Sequence, residues 1–519
     1  MFEELKERIR DKSLLHLITT PEKLVPLFAE TTKRTLNLGW SGFTPVGYPK
    51  VTPIAIADYV EQNSLQGKWR FNLYIGASTG AETEDRWASL KMIDKRWPYQ
   101  TGRNISKGIN CGEIRMGDKH LSMFAQDLLY GFYTKEQGGK LDFAIVEASA
   151  ITEDGHIVLA GSVGATPEII NAAERIIVEI NTGLPSFEGM HDILVADRPP
   201  YKKVIPITKA SDRVGTTYVP TDKSKIVGIV ESKMKDTGRA LRGTDDESQR
   251  IADHIVAFFS DEVKAGRLPK NLLPLQSGVG SIANAVVGGL TNSPFEDLTV
   301  YTEVLQDTFL PFLDSGKCKT ISCSSLSLSE EGFKIWWDKY DFYKSKVILR
   351  PQQISNHPEV IRRLGVLAMN TPVEFDIYAH ANSTLVGGTN MLNGIGGSGD
   401  FLRNGYISIM HCPSARSSKT DELGISCVVP KVTHVDHTEH DLDVLVTEQG
   451  LADLRGLSPK DRARVIIEKC AHPEYKPYLT EYLDRAEQAT GRAHEPHILA
   501  EAYKMHINLA EKGTMRFWK

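Results

Sequence analysis

PLQSGVGSIANAVVGGLTNSPFEDLTVYTEVLQD, residues Pro274 to Asp307, is the stretch that decides the architecture. It reads as strand, glycine turn, helix, strand and then a lone carboxylate. Leu272 to Leu275 is a short apolar run suited to a buried strand. Gly278 and Gly280 open the turn, and Ser281 to Leu290 is small and apolar enough for a tightly packed helix. Leu298 to Val304 is rich in β-formers, with Val300 and Thr302 on one face and Tyr301 and Glu303 on the other. Glu303 therefore arrives near a strand end, beside a turn whose N–H groups and helix N-terminus favour anions. An open α/β sheet places its chemistry at that edge.

Spacing alone leaves Glu303 with three readings. Gly278-Val279-Gly280-Ser281-Ile282-Ala283 fits G-x-G-x-x-A, and an acid about 20 residues further on holds a ribose hydroxyl in dinucleotide-binding proteins. Alternatively Glu303 is a covalent nucleophile and the glycine turn grips an acyl-CoA. In the plainest reading the turn only joins a strand to a helix, and Glu303 is a solvated strand-end acid.

Outward from this segment, strands and helices alternate, which predicts parallel sheets with helices on both faces. Residues 1 to 32 read as helical. Leu36 to Lys50 reads as a strand entering a glycine- and proline-rich turn, and Pro53 to Asn63 as a helix. Phe71 to Ile75, Asp142 to Glu147, Ile176 to Ile180 and Ile226 to Val230 read as strands. Polar stretches around the last of these place a domain boundary near residue 230, giving domains 1–230 and 231–519. Arg239 and Arg242, in this junction, read as solvated linker charges. Ile251 to Glu262 opens the second domain as a helix, and Thr320 to Cys323, Val347 to Arg350 and Glu374 to Tyr378 are further strands.

The chain of 519 residues is long enough for two α/β cores, and 41% hydrophobic with 24% charged residues is ordinary for a globular protein. A formal net charge of -5 makes no electrostatic case for nucleic acid. No apolar run approaches a membrane span. The six cysteines lack C-x-x-C spacing, which points to reduced, buried thiols. MFEELKERIRDKSLLHLI has acids too early for a good mitochondrial presequence and no signal-peptide core. His434-x-Asp436-His437-x-Glu439-His440-Asp441 is dense in ligand-type residues but lacks H-E-x-x-H spacing or a cysteine partner. A hydrogen-bonded wall is the reading favoured for it, and no metal is expected.

LPLQSGVGSIANAV followed by YTEVLQD resembles the acetyl-CoA hydrolase/CoA-transferase family, of the class I CoA-transferase kind. The resemblance extends over nearly the whole chain, through LGWSGFTPVGYPK, FNLYIGASTGAE, DKHLSMFAQDLLYGFYT, NTGLPSFEGMHDI, MLNGIGGSGDFLRN and VTHVDHTEHDLDVLVTEQGLADLRG. It implies two open α/β domains of CoA-transferase type with the active site between them. It also implies that Glu303 forms a glutamyl-CoA thioester and that the Asn356 amide helps position it. From spacing alone, Asn356 reads as an N-cap. Gly278, Val279, Gly280, Ser281, Ile282, Asn393, Gly397 and Lys419 match CoA-binding positions, although Lys419 also reads as a solvated surface lysine. Glu448 reads either as a nearby acid or as half of a salt bridge.

The expected function is therefore an acyl-CoA:carboxylate CoA-transferase exchanging acetyl and succinyl groups, with acetyl-CoA hydrolase as the alternative. A non-catalytic CoA sensor and an NAD-dependent oxidoreductase are readings from other classes. The implied partners are acyl-CoA and small carboxylates, with neither nucleic acid nor membrane, in a homodimer or larger homo-oligomer. No cofactor is expected beyond the substrate coenzyme A. A mitochondrial location is expected if the source is eukaryotic, and otherwise a cytoplasmic one.

Overall fold

The computed structural model describes residues 2–238 and 243–518, and the chain forms two compact units, both α/β. The first comprises Met1–Leu241, Val300–Leu313 and Lys319–Leu364, and the second Arg242–Thr299, Asp314–Cys318 and Gly365–Lys519. The first unit thus reclaims two later pieces of chain, one of which carries Glu303.

Its sheet contains β1 (Leu36–Trp40), β2 (Phe71–Ile75), β3 (Ile93–Trp97), β4 (Arg115–Met116), β5 (Leu141–Ile151), β6 (Ile157–Leu159), β7 (Ala173–Asn181) and β8 (Ile226–Ser232). The order is β4-β3-β2-β1-β5-β7-β8, parallel throughout, with β6 antiparallel against β5. Every residue of β1, β2 and β5 is buried, as a parallel strand covered on both faces requires. β3 escapes the sequence reading because IDKRW carries three consecutive charged residues, next to the sheet edge. The helical reading of residues 1–32 gives way to four short pieces, Glu3–Arg8, Lys12–Leu17, Pro21–Leu24 and Val25–Thr32. Pro21 and Pro26 lack the N–H groups that a continuous helix needs.

In the second unit, strands Leu275–Ser277, Leu367–Asn370, Ile407–His411 and Val444–Thr447 lie parallel in that order, and Gly450–Asp453 closes the edge antiparallel. The first of these begins later than the apolar run suggested. Leu272 takes a positive φ of 53°, and the Pro274 carbonyl accepts from Leu367 N at 2.9 Å. Helix Asp246–Lys264 is capped by Asp245, whose carboxylate accepts from Ser248 N at 2.7 Å. It packs on helix Ser281–Asn292, where a Cβ on Gly289 would come within 3.3 Å of Val256 Cγ2. The small residues of that helix are what let the two axes approach. Among the described residues no helix is long and apolar enough to cross a membrane. Five cysteines are buried and Cys111 is exposed; none is bridged.

A buried charge cluster organises the turn after β1. The Lys50 ammonium, fully buried, pairs with Glu147 and with Asp236 at 2.8 Å, and donates to Tyr48 O at 3.0 Å. Asp236 also accepts from Gly47 N at 3.1 Å. Glu179 accepts from the N–H groups of Lys50, Val51 and Thr52 at 2.6, 3.1 and 2.6 Å, capping helix Val51–Gln62. Burial pushes Glu147 up to about 8 despite the neighbouring ammonium, with Asp236 adding to the rise.

Replacing Lys50 by Met removes the cation and leaves acids buried without it, which should destabilise the first unit by about 3 kcal/mol or more. Urea unfolding followed by circular dichroism checks this; a loss below about 1 kcal/mol would mean the cluster does not hold the turn.

Candidate active site

Glu303 sits where one strand ends and another begins. Leu298–Tyr301 is strand, and Thr302 N still donates to Ser322 O at 2.9 Å. Val304–Leu305 then pairs in parallel with Ser325–Leu326. In the bend between them the Glu303 carbonyl accepts from Ser324 N at 2.7 Å and Ser325 N at 3.2 Å. The sequence places Glu303 near a strand end; the bend turns that position into a fixed one.

The carboxylate meets Asn356, whose Nδ2 donates to Glu303 Oε1 at 2.7 Å. Ser355 Oγ donates to Asn356 Oδ1 at 2.9 Å and so fixes which face of the amide points at the acid. Asn356 is fully buried and follows helix Gln352–Ser355. It does not act as an N-cap, because its side chain is spent on Glu303 and Ser355. Tyr301 OH, donating to Ile354 O at 2.6 Å, ties this helix to the strand before Glu303. Glu303 is half-buried, and burial pushes its carboxyl from 4.5 up to about 7; the Asn356 amide opposes the rise.

A serine run that the sequence reading passed over holds the next layer. Ser325 Oγ donates to Phe43 O at 2.7 Å and Ser327 Oγ to Thr44 O at 2.8 Å. Thr44 N donates to Ser78 O at 3.0 Å, and Val304 packs with Phe43, Ala77 and Leu121. The hydroxyls of Thr44 and Ser78 are buried with no partner among the described residues. The alternation in CSSLSLS, hydroxyl then apolar, was the available signal. Nearby, Arg10 takes the Glu188 carboxylate at 2.8 and 2.7 Å, and buried His191 turns Nε2 to Ala160 O at 3.0 Å.

The other site residues read from sequence lie in the second unit. Gly278 N donates to Met369 O at 3.1 Å, continuing the ladder beyond Ser277. Val279 is exposed, and Gly280 takes φ +123°, a conformation open to glycine, just before the helix that begins at Ser281. Ser281 Oγ accepts from Ser248 Oγ at 3.1 Å, and Ile282 is buried. In the second glycine loop, Gly394 and Gly396 have φ +134° and +60°. Asn393 Oδ1 accepts from Gly394 N at 2.9 Å. Gly397 precedes helix Ser398–Leu402, whose far end packs by Gly405 against Val366 and Ala368, at the amino end of strand Leu367–Asn370. Gly397 thus opens the opposite end, the carboxyl edge that Gly278 to Ser281 also occupy.

Lys419 is exposed, between the paired strands Ala415–Arg416 and Ile425–Ser426. Glu448 spends its carboxylate on hydrogen bonds: it accepts from Ser414 N at 2.7 Å, from Ser414 Oγ, and from Gln449 Nε2 at 2.9 Å. The segment from His434 to Asp441 is a hydrogen-bonded wall. Asp436 accepts from Ser383 N at 2.6 Å, and the His437 ring meets Ser398 Oγ at 3.2 Å, next to Gly397. Arg239 and Arg242 lie outside the described residues.

The N-terminal domain of acetyl-CoA hydrolase/transferase matches residues 4–231, and the C-terminal domain of the same family matches residues 332–483. The chain belongs to the acetyl-CoA hydrolase/transferase family. A Schizosaccharomyces pombe relative named acetyl-CoA hydrolase is 59% identical over 517 residues, covering 99% of this chain and 98% of that one. The family fold is seen in RipA from Yersinia pestis, with a TM-score of 0.67, 21% identity, and coverage of 94% of this chain and 99% of that one. It is seen also in a 4-hydroxybutyrate CoA-transferase from Porphyromonas gingivalis, with a TM-score of 0.60, 19% identity, and coverage of 93% and 100%.

These relatives correct the leading expectation from sequence, transfer of CoA to a carboxylate. Further fungal members at 54–56% identity carry the name acetyl-CoA hydrolase as well. The reason is chemical: transfer and hydrolysis differ in the last nucleophile, and the motifs of this family encode only the steps before it.

Because the folded chain holds a proton on Glu303 that an unfolded chain releases near 4.5, ionising it lowers stability as pH rises from about 4.5 through about 7. Glu303→Gln should therefore be more stable than wild type at pH 8, by thermal unfolding. The infrared carboxyl band present in wild type and absent in Glu303→Gln should titrate near 7. Asn356→Ala should move it upward, since the lost hydrogen bond favoured the charged form. A downward move would remove Asn356 from its positioning role.

Proposed function

We propose that this chain is an acetyl-CoA hydrolase working through a covalent glutamyl intermediate on Glu303. The observation that carries the reading is the Glu303 carboxylate itself, presented in a bend, half-buried, and bonded through one oxygen to a buried Asn356 amide. The high identity to fungal proteins named acetyl-CoA hydrolase supplies the substrate.

Ionised Glu303 attacks the thioester carbonyl, and CoA leaves as thiolate, giving an acetyl-glutamyl anhydride. The thiolate then attacks the glutamyl carbonyl of the anhydride, expelling acetate and leaving a glutamyl-CoA thioester. Water adds to that thioester, releasing CoA and restoring the Glu303 carboxyl. Acetate and CoA as products place the activity in acetate metabolism. Each addition develops an oxyanion, for which preorganised backbone N–H groups are the usual stabilisers; that role is proposed for Gly397. Holding CoA is proposed for Gly278, Val279, Gly280, Ser281, Ile282, Asn393 and Lys419, on their match to the family pattern and, for the two glycine loops, their place at a carboxyl sheet edge. No step calls for a cofactor beyond the substrate.

The first step needs the carboxylate, so turnover should rise with pH through about 7 and then level. Acetyl-CoA alone should release free thiol at the full rate, and added succinate should neither accelerate it nor yield succinyl-CoA. Glu303→Gln should lower kcat on the order of 10⁴-fold or more, and should lose the CoA-bearing protein species that mass spectrometry detects in acid-quenched wild type. Thiol release that requires a carboxylate would overturn hydrolysis; full activity in Glu303→Gln would overturn the nucleophile.

A further inference from the structure

The second unit brings together three side chains that the sequence keeps far apart. Among the described residues, His380, Glu439 and Glu495 each offer a ligand atom, and these atoms lie within 4.8 Å of one another. All three side chains are half-buried. His380 Nε2 stands 2.7 Å from Glu439 Oε2. The other ring nitrogen, Nδ1, lies 3.2 Å from Asp376 Oδ1. Asp376 is itself fully buried and held by the N–H groups of Tyr378 and His380, both at 3.0 Å.

The hydrogen-bond inventory of this cluster is unbalanced. Spending the Nδ1 proton on Asp376 fixes the ring and leaves Nε2 facing two carboxylates, the arrangement by which a carboxylate orients a metal-binding histidine. A proton on Nε2 serves Glu439 alone. The Glu495 carboxylate makes no hydrogen bond or ion pair among the described residues, although it stands in the same cluster. One divalent cation serves all three groups at once.

The supporting backbone is already set. Ala381 N donates to His437 O at 2.9 Å, which fixes the strand after His380 against the segment that carries Glu439. The buried Tyr378 hydroxyl donates to Pro496 O at 2.6 Å, beside Glu495. Ligands of a tetrahedral zinc at 2.0–2.2 Å stand about 3.3 Å apart, so small side-chain shifts close the observed separations. One imidazole with two carboxylates suits zinc ahead of magnesium or calcium, which favour all-oxygen shells.

We propose that His380, Glu439 and Glu495 form a zinc-class divalent cation site that clamps the segment around Glu495 to the second unit. It draws one residue, Glu439, from the histidine- and acid-rich stretch whose local spacing had argued against a metal. This site does not rest on the proposed function.

The test is calorimetric titration of ZnCl₂ into EDTA-stripped, dialysed full-length protein, beside Glu495→Gln and His380→Ala, with thermal unfolding of each. Wild type should bind zinc at this site and gain several degrees in Tm. Glu495→Gln should weaken binding at least tenfold, and His380→Ala should abolish it. Glu495 spends no hydrogen bond on the fold, so its variant decides the matter even if His380→Ala folds poorly. Isotherms alike in wild type and Glu495→Gln, the absence of zinc binding, or a response to magnesium alone would each overturn the proposal and leave a plain histidine–carboxylate ion pair.

Discussion

The Glu303 carbonyl accepts two N–H groups, from Ser324 and Ser325, and this pair of hydrogen bonds sets much of what surrounds it. A strand continuing straight beyond Thr302 would keep the next carbonyl in the ladder it had been following. Here the chain turns out of that ladder for one residue and re-enters pairing at Val304, opposite Ser325. The Glu303 side chain sits in the residue that changes register. The same serine segment then fastens the turn after β1 through the hydroxyls of Ser325 and Ser327. That turn is fixed at its other end by Lys50, Asp236 and Glu179. A continuous chain of hydrogen bonds and one ion-pair cluster thus runs from a buried ammonium to the bend that presents the acid.

This support is matched by an electrostatic cost. A nucleophilic carboxylate must be ionised to attack, yet the packing that fixes its direction also removes water and favours its neutral form. At Glu303 the balance settles near 7 because Asn356 returns part of what burial takes away. Surface exposure would leave a carboxylate fully ionised but well solvated and weakly nucleophilic. Complete burial without the amide would hold it protonated. Glu147 and Glu168, both fully buried, show that second condition: burial pushes each up to about 8.

The sequence made the α/β class legible through continuous apolar runs such as FNLYI and through the glycine turn at Gly278 to Gly280, which needs a backbone that other residues resist. Glu303 was visible as a strand-end acid for the same periodic reason. Less visible were the features whose partners are distant in the chain. Asn356 looked like an N-cap because its local setting, a turn before a helix, is one; its bond to Glu303 spans 53 positions. The return of residues 300–313 and 319–364 to the first unit has no compositional marker either, because those pieces carry ordinary buried strands. β3 was lost to the charges of a strand near an edge, and the opening helix to two prolines.

The choice of final nucleophile is the least legible feature of all, and chemistry explains why. Everything that would let Glu303, as proposed, form an anhydride and then a thioester serves a transferase and a hydrolase equally. A transferase must add something further, shelter of the thioester from water for as long as a carboxylate takes to arrive. A hydrolase has only to leave the path open. Residue types that build the thioester therefore spell out the more demanding enzyme, while the less demanding outcome depends on how closely the surroundings fit. Fit is spread over many positions and has no motif, so likeness along the full chain reports on it where a handful of matched residues does not.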